Sequence, residues 1–268
     1  MTAQEKYTHG HHNSVLRTHG WRTAENSAAH LVPHLRPGVS VLDVGSGPGT
    51  MTVDFARRVG PARVVGIDSS ADVVEKATAH AREAGVTNVE FLVGSAYDLP
   101  FGEGEFDVVH THQTLQHVSR PVDVLREMRR VRAADGIVAA REIDYPAVFW
   151  HPESPGLEKW YAIYDAVHRS NGGEPSAGRH LKSWALEAGF SDVHAGSSMW
   201  HFSTDAERQW WGGAWAERAL HSGFASDAIE QGRATPDDLV EISAAWQAWT
   251  DNPLSSLFLP HGEILARY

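Results

Sequence analysis

The feature that most constrains this chain is an apolar strand that runs directly into a glycine-rich turn. Residues Val41–Val44 form the strand, and glycines follow at alternate positions, namely Gly45, Gly47 and Gly49. Glycine is needed where a backbone turns sharply and approaches a ligand without an intervening Cβ. The helix predicted over Thr52–Val59 offers unpaired backbone N–H groups at its start. A strand, a glycine turn and a helix in this order predict a nucleotide-cofactor site.

A second apolar strand ends in an acid and adds to the same site. Residues Arg63–Ile67 lead directly to Asp68, and a carboxylate at such a strand end can accept hydrogen bonds from both hydroxyls of a ribose. We assign the neighbouring Ser69, and Ser46 in the glycine turn, to the same cofactor site.

The spacing of the glycines distinguishes between cofactors. A dinucleotide fingerprint requires a third glycine at position 50, where this chain has Thr50. Asp43 precedes Gly45 by two residues and places a negative charge where a diphosphate would be repelled but a sulfonium would be attracted. This pattern favours S-adenosylmethionine. An acid followed by three alternate glycines resembles the first motif of class I S-adenosylmethionine-dependent methyltransferases.

Composition excludes several other classes of function. The net charge is −11, with no run of Lys or Arg, so a nucleic-acid backbone would be repelled. There is no cysteine, which excludes disulfides and thiol ligands. No apolar stretch approaches the roughly 18 residues of a membrane span, and the first residues lack a signal-peptide core. We therefore expect a cytoplasmic protein without membrane or nucleic-acid partners, either a monomer or a homodimer.

Histidines cluster near the N-terminus at His9, His11 and His12. No carboxylate shares this cluster, and Gly and Asn flank it. We interpret it as a solvated segment and predict no metal site.

Strands and helices alternate along most of the chain. The predicted strands are Ser40–Val44, Arg63–Ile67, Val89–Val93, Phe106–His110, Gly136–Glu142, Asp192–Phe202 and Leu257–Tyr268. The predicted helices are one or two within Ser14–Leu35, then Thr52–Val59, Ala71–Ala84, Pro121–Arg132, Leu157–Ser170, Gly178–Ala188, Asp205–Ser222 and Pro236–Trp249. Near-continuous apolar strands joined by helices predict an α/β fold with a doubly wound, mostly parallel, seven-stranded sheet.

The predicted architecture is a single domain over residues 1–268 with helical additions around a Rossmann-like core. An N-terminal helical lid spans residues 1–36, and the cofactor-binding core spans 37–145. A helical insertion follows over 146–190, and an aromatic helical cap lies at 204–250, before the last strand. We expect this cap to cover the carboxyl ends of the strands, where doubly wound proteins bind ligands.

The cap is rich in tryptophan, at Trp210, Trp211, Trp215, Trp246 and Trp249. A tryptophan at helical spacing is more often part of a core than of a pocket. As a group, however, these residues suggest an aromatic-walled cavity for a modest, partly hydrophobic acceptor. We assign Trp211 and Trp215 to acceptor binding, together with Trp21 and Tyr145.

The class I resemblance implies roles for further loops. The loop after the third strand would hold adenine, where Ser95 stands in place of the usual Asp, so contact would depend more on the Ala96 backbone N–H. His112 and Gln113, after the fourth strand, would lie at the methionine end of the cofactor. Arg22 could pair with the methionine carboxylate, although a surface helix is the alternative there.

Two residues are candidates for acid or base chemistry. His117 has a suitable intrinsic pKa, but a structural role in its loop is equally compatible with the sequence. Asp144, at the end of the fifth strand, is the candidate for orienting or deprotonating an acceptor, against a purely structural role.

The resemblance extends beyond the first motif. The relevant segments are Trp21–Ala28, Ala139–Glu142 with Asp144 and Tyr145, Ala177–Arg179 with Ser183–Leu186, and Gly262–Ile264. They are similar to small-molecule methyltransferases related to the ubiquinone and menaquinone enzymes, and within these to fungal gliotoxin bis-thiomethyltransferases and bacterial dithiol S-methyltransferases. Besides Ser95, the segment Arg132–Gly136 departs from that group, in which Lys-Pro-Gly-Gly is frequent. The resemblance implies thiol methylation in secondary metabolism. The alternative is O- or C-methylation of a quinol or polyketide-like metabolite. A more distant alternative is a regulator that binds the cofactor without catalysis.

Overall fold

The computed structural model describes Thr8 and residues 20–268. The histidine cluster His9, His11 and His12, and the first part of the predicted N-terminal helices, lie outside the described residues. From residue 20 onward, the expected amphipathic helix is wrong: only α1 (Ala24–Ser27) and a 3-10 turn (Val32–His34) form. Pro33, within that turn, has no N–H for a continued helical ladder. The apolar residues of this segment nevertheless pack against the sheet.

The central feature is a mixed sheet whose larger part is parallel. Its strands are β1 (Val41–Val44), β2 (Val64–Asp68), β3 (Val89–Val93), β4 (Phe106–His112), β5 (Arg132–Ile143), β6 (Phe149–His151), β7 (Asp192–Phe202) and β8 (Ser256–Arg267). The order begins β3-β2-β1-β4-β5-β8, with β1 to β5 parallel. β8 is antiparallel to β5, β6 and β7. The prediction of a doubly wound, mostly parallel α/β fold is confirmed.

The sheet has one more strand than predicted. The additional strand β6 continues the line of β5 along the same edge of β8, while β7 occupies the other edge of β8. β6 has only three residues, and Pro146 and Pro152 bracket it in the sequence. A segment this short gives no measurable alternation of apolar and polar residues.

Helices cover both faces of the sheet. They are α2 (Thr50–Val59), α3 (Ala71–Glu83), α4 (Pro121–Val131), α5 (Pro155–Ser170), α6 (Ala177–Glu187), α7 (Asp205–His221), α8 (Gly223–Glu230) and α9 (Pro236–Asp251). Neighbouring residues of β1 enter different cores, because side chains alternate along a strand. Val41 packs with Phe55 of α2 on one face, whereas Leu42 packs with Leu125 of α4 on the other.

The additional helices form a separate aromatic core. Trp160 of α5, Trp215 of α7 and Trp246 of α9 are each at most 1% exposed and pack together with ring centroids 4.8–5.9 Å apart. This core holds the cap above one end of the sheet. Among the helices of residues 20–268, none combines the length and apolar character needed to cross a bilayer.

Candidate active site

The glycine turn lies where the strand order reverses, between β1 with β2 on one side and β4 on the other. In open α/β sheets, ligands bind at this position. Gly45 has a φ of +75° and Gly47 a φ of +55°, a region of backbone space that favours glycine. A Cβ on Gly45 would stand 2.1 Å from Oγ1 of Thr114. A Cβ on Gly47 would meet no atom within 4 Å and would project into open space at the turn. The turn is therefore shaped to bring backbone close to a ligand.

Gly49 has a different role from the other two glycines. It is the N-cap of α2, with a φ of +79°, and an added Cβ would lie 2.6 Å from the ring of Phe91. Gly49 does not line the cavity described below. We therefore correct its assignment: its place in the structure is accounted for by the close packing of α2 on the sheet.

The two predicted acids lie side by side at the ends of β1 and β2. Asp43 is 3% exposed and accepts hydrogen bonds from Oγ1 of Thr52 at 2.6 Å and from Nδ1 of His110 at 2.8 Å. Asp68 accepts from the backbone N–H groups of Gly47 and Ser70, both at 3.0 Å. Asp43 is thus held by two side chains, Asp68 fixes the local backbone, and both carboxylates line the cavity.

A cavity of about 620 Å³ opens beside these residues. Most residues predicted to bind the cofactor line this cavity, namely Arg22, Asp43, Gly45, Ser46, Gly47, Asp68, Ser69, Ser95, Ala96, His112 and Gln113. Three of the residues predicted to bind the acceptor or to act in catalysis also line it, namely His117, Tyr145 and Trp211. Sequence reasoning did not identify Thr114, Ile143, Trp200 and Arg218, which also line it. We call the end next to the glycine turn the cofactor half, and the end bounded by Ile143, Tyr145, Trp200, Trp211 and Arg218 the acceptor half.

A polar chain connects Arg22 to the last strand across the cavity wall. Arg22 donates to Oε1 of Gln113, and Nε2 of Gln113 lies 2.9 Å from Nε2 of His261. The Nδ1–H of His261 donates to the Leu259 carbonyl at 2.8 Å, so its Nε2 must accept from the Gln113 amide. Burial lowers the pKa of His261 well below its usual value. The neutral imidazole therefore orients Gln113, which in turn orients Arg22.

His112 is a second neutral histidine at the end of β4. It is 5% exposed, and burial lowers its pKa well below the usual range, with the positive charge of Arg22 acting in the same direction. Its ring lies 5.6 Å from Trp200 and 6.2 Å from His261. His112 consequently contributes an uncharged ring to the cavity wall near neutral pH.

The Glu142 side chain binds the backbone of the loop that carries His117. The Glu142 carboxylate, 0% exposed, accepts from the backbone N–H groups of Thr114 and Leu115 at 2.9 and 2.8 Å and of Gln116 at 3.3 Å. Burial raises its pKa to about 7, although these hydrogen bonds act in the opposite direction. Glu142 is a positioning residue that sequence analysis did not identify.

His117 lies at the cavity wall and stacks on a second imidazole. The rings of His117 and His168 are 4.8 Å apart and nearly parallel. The Nε2–H of His168 donates to the Gln116 carbonyl at 2.7 Å, and its Nδ1 lies 3.0 Å from the Tyr164 hydroxyl. Burial lowers the pKa of His168 to about 4, so a neutral ring supports His117 from behind.

The assignment of Asp144 as a catalytic acid or base is wrong for this structure. Both of its oxygens bind the Arg179 side chain, at 2.7 Å to Nε and 2.5 Å to Nη2, and the backbone N–H of Arg179 lies 3.1 Å away. Asp144 does not line the cavity. A bidentate arginine pair of this kind satisfies the carboxylate, so Asp144 anchors α6 to the end of β5.

Two of the four aromatic acceptor residues are also misassigned. Trp215 is 1% exposed and packs against Trp160 and Trp246 in the cap core. Trp21 packs edge-on against Trp200 and Phe202 at 5.4 and 5.6 Å, and lines a smaller adjacent cavity. Neither lines the main cavity. Trp200, which does, donates its ring N–H to the Asn26 carbonyl at 2.6 Å.

Comparison with known proteins agrees with this geometry. Residues 35–188 match the family described as a methyltransferase domain. An uncharacterised methyltransferase of Schizosaccharomyces pombe is 31% identical over 98% of this chain and 97% of its own length. A demethylmenaquinone methyltransferase of Lactococcus lactis is 32% identical over 64% of this chain and 75% of its own length.

The solved structure of the Bacillus subtilis YcgJ protein shares the fold, with a TM-score of 0.60 at 21% identity over 91% of this chain and 98% of its own. The family match spans the glycine turn and both strand-end acids, and both acids line the cavity at the ends of their strands. This chain belongs to the methyltransferase-domain family and is an S-adenosylmethionine-dependent methyltransferase.

Proposed function

We propose that the enzyme methylates a sulfur atom of a small dithiol natural product. The observation that carries the proposal is the character of the acceptor half. Among the described residues that line it, none is a carboxylate, because Asp144 is bound to Arg179 outside the cavity. The walls are the apolar Ile143 and the aromatic Tyr145, Trp200 and Trp211. Such a site suits an acceptor that needs little help to lose its proton.

Thiols fit this requirement better than hydroxyls. A thiol has a reference pKa of about 8.5 and a phenol about 10, so the thiol requires a weaker base for the same fraction of nucleophile. His117, which lines the cavity, is the candidate for such assistance. A base of ordinary imidazole strength would suffice for a thiol and would be poorly matched to an alcohol.

The cofactor half has residues that fit S-adenosylmethionine. Asp68 would accept the ribose hydroxyls, Ser95 and Ala96 would contact adenine, and Arg22, oriented by Gln113, would bind the methionine carboxylate. When bound, the cofactor supplies a methyl group already activated by its sulfonium. The protein's contribution is then to align the acceptor sulfur in line with the methyl and to exclude water.

A second candidate is methylation of a quinol at oxygen or carbon. The similarity to the Lactococcus lactis demethylmenaquinone methyltransferase favours it. A quinol hydroxyl or the adjacent ring carbon would depend on a base more strongly than a thiol does, so the two candidates predict different sensitivity to loss of His117.

The test is a matched acceptor panel. Purified enzyme with methyl-labelled S-adenosylmethionine is given dithiothreitol and benzyl mercaptan in parallel with catechol and a reduced naphthoquinone, and the products are separated by mass spectrometry. We expect a thioether as the fastest product, and His117→Gln to reduce its formation by less than about tenfold above the thiol pKa. Label in oxygen or carbon with no thioether would overturn the sulfur proposal.

A matched variant distinguishes Asp144 from His117, the other residue considered for acid or base chemistry. Asp144→Asn weakens the contact with Arg179 but leaves the described cavity lining unchanged. We expect its rate per folded enzyme to stay within about threefold of wild type, because it touches neither half of the cavity. A loss comparable to a general-base deletion, about 100-fold or more, would return Asp144 to the mechanism.

A further inference from the structure

The indole of Trp200 forms a wall shared by two cavities. Of the described residues, it alone lines both the acceptor half of the main cavity and a second cavity of about 380 Å³. Its ring lies 5.6 Å from that of His112, which lines the main cavity, and 5.4 Å from that of Trp21, which lines the second. The guanidinium carbons of Arg22, on the main cavity wall, and of Arg141, on the second, lie 5.7 and 4.7 Å from the same indole. The indole therefore separates the two cavities.

Contacts on several sides fix the position of this wall. Trp200 lies in β7 opposite Leu259 of β8 and is 5% exposed. Its ring N–H donates to the Asn26 carbonyl at 2.6 Å, and its ring lies 4.5 Å from that of His261. A buried indole bonded in this way cannot turn aside without leaving its N–H and the carbonyl unpaired, which is costly. The wall is therefore a constant part of the acceptor half.

The second cavity suits an uncharged, apolar group. Trp21 and Met199 contribute apolar surface to it. Two charged side chains in its wall, Arg141 and Glu263, form an ion pair with Nε and Oε1 3.1 Å apart. Because these two charges satisfy each other, a neutral group placed beside them breaks no ion pair. The space behind Trp200 is thus large enough for an aromatic ring and chemically compatible with one.

We infer that Trp200 is a specificity-determining residue that limits the length of the acceptor. The inference rests on the proposed function for the location of the acceptor half, but not for the identity of the methylated atom. An acceptor aligned with the cofactor methyl ends against the indole, and a packed protein interior does not yield to an added ring without cost. Removal of the indole joins the acceptor half to the second cavity and gives that ring a place.

The test compares two thiols that differ by one ring. The quantity measured is the ratio of kcat/KM for 4-phenylbenzyl mercaptan to that for benzyl mercaptan. We expect this ratio to be about 0.1 or less in the wild-type enzyme and to rise about tenfold or more in Trp200→Ala. Trp200→Leu and Trp200→Phe remove less volume and should raise it by smaller factors, so the series decides even if the alanine variant does not fold. A wild-type ratio near one, or an unchanged ratio in the folded variants, overturns the inference.

Trp211→Ala is the matched control, because it removes the same side chain from the same half of the main cavity. Trp210 and Phe202 pack against Trp211, with ring centroids at 5.7 and 4.9 Å, and Trp211 does not line the second cavity. Whatever its effect on the rate, we expect the length ratio to stay within about threefold of wild type. A rise equal to that of Trp200→Ala would overturn the assignment of the length limit to Trp200.

Binding measurements keep this test independent of the atom that is methylated. With S-adenosylhomocysteine bound, benzyl alcohol and 4-phenylbenzyl alcohol differ by the same ring, and the weaker affinity of the longer alcohol should be relieved in Trp200→Leu. If no thiol gives a thioether but this relief is observed, the sulfur proposal fails and the length limit stands. If thioethers form but no Trp200 variant changes either comparison, the length limit fails and the sulfur proposal stands.

Discussion

Replacing Asp68 is the most direct perturbation of the cofactor half. In the structure, Oδ2 accepts from the Gly47 N–H and Oδ1 from the Ser70 N–H, both at 3.0 Å. Each carboxylate oxygen has a further lone pair, so the same side chain can accept two ribose hydroxyls while it holds the glycine turn. Asp68→Ala removes both functions at once.

The expected loss follows from the number of bonds. A hydrogen bond to a charged group contributes about 1.5–3 kcal/mol, and water recovers part of that energy when the carboxylate is removed. We expect a net loss of about 2 kcal/mol, which corresponds to a roughly 30-fold weaker Kd for S-adenosylhomocysteine. Isothermal titration calorimetry measures it directly. Asp68→Asn, which retains part of the acceptor capacity, should lose less.

Asp72 supplies the control for this experiment. It lies in the first turn of α3, is exposed, and does not line the cavity. Asp72→Ala removes the same charge from the same region and should leave the Kd within about twofold. If Asp68→Ala were equally mild, the carboxylate would not bind the ribose, and the assignment of the cofactor half would be refuted.

Two further predictions concern stability. Gly45→Ala should destabilise the fold by about 1–3 kcal/mol more than Gly38→Ala in chemical denaturation. Both glycines have a positive φ, but only at Gly45 would an added Cβ meet another residue, Thr114. Equal losses of stability would show that Thr114 moves aside freely. His168 has a folded pKa of about 4, below the unfolded value, so it stabilises the fold above about pH 6.5 and loses that contribution as the pH falls. Between pH 7 and 5, His168→Gln should lose about 2 kcal/mol less stability than the wild type, because other buried histidines also contribute, whereas a variant of the exposed His194 should lose as much as the wild type.

The elements that sequence predicted well are those with a strong local pattern. The strand predicted over residues 192–202 has the same bounds in the structure, and Asp68 lies at the end of β2 as expected. The alternation of apolar and polar side chains and the glycine turn are properties of neighbouring residues, so they can be recognised in the sequence without knowledge of the fold. The α/β class followed from the same information.

The errors occur where a contact partner is distant in the sequence. Glu142 and Asp144 are two residues apart on one strand end, yet one binds the backbone of the loop after β4 and the other binds Arg179. Trp211 and Trp215 are one helical turn apart, yet only Trp211 reaches the cavity. The sequence pattern cannot choose between these outcomes, because the choice depends on which element packs opposite each side chain.

The distribution of charge in the site reflects the different origins of its two halves. The sheet and its loops provide carboxylates that are fixed by backbone N–H and side-chain bonds, and these are suited to ribose hydroxyls. Of the described residues that bound the acceptor half, the cap provides Trp211 and Arg218, while the buried histidines His112 and His261 are neutral. Since neither histidine gains a proton near neutral pH, the positive charge of the described cavity comes from arginines, which do not titrate there. The pH dependence of methyl transfer near neutral pH should therefore not arise from His112 or His261, and the cap, which contributes Trp211 to the acceptor half, should help to determine which acceptors are used.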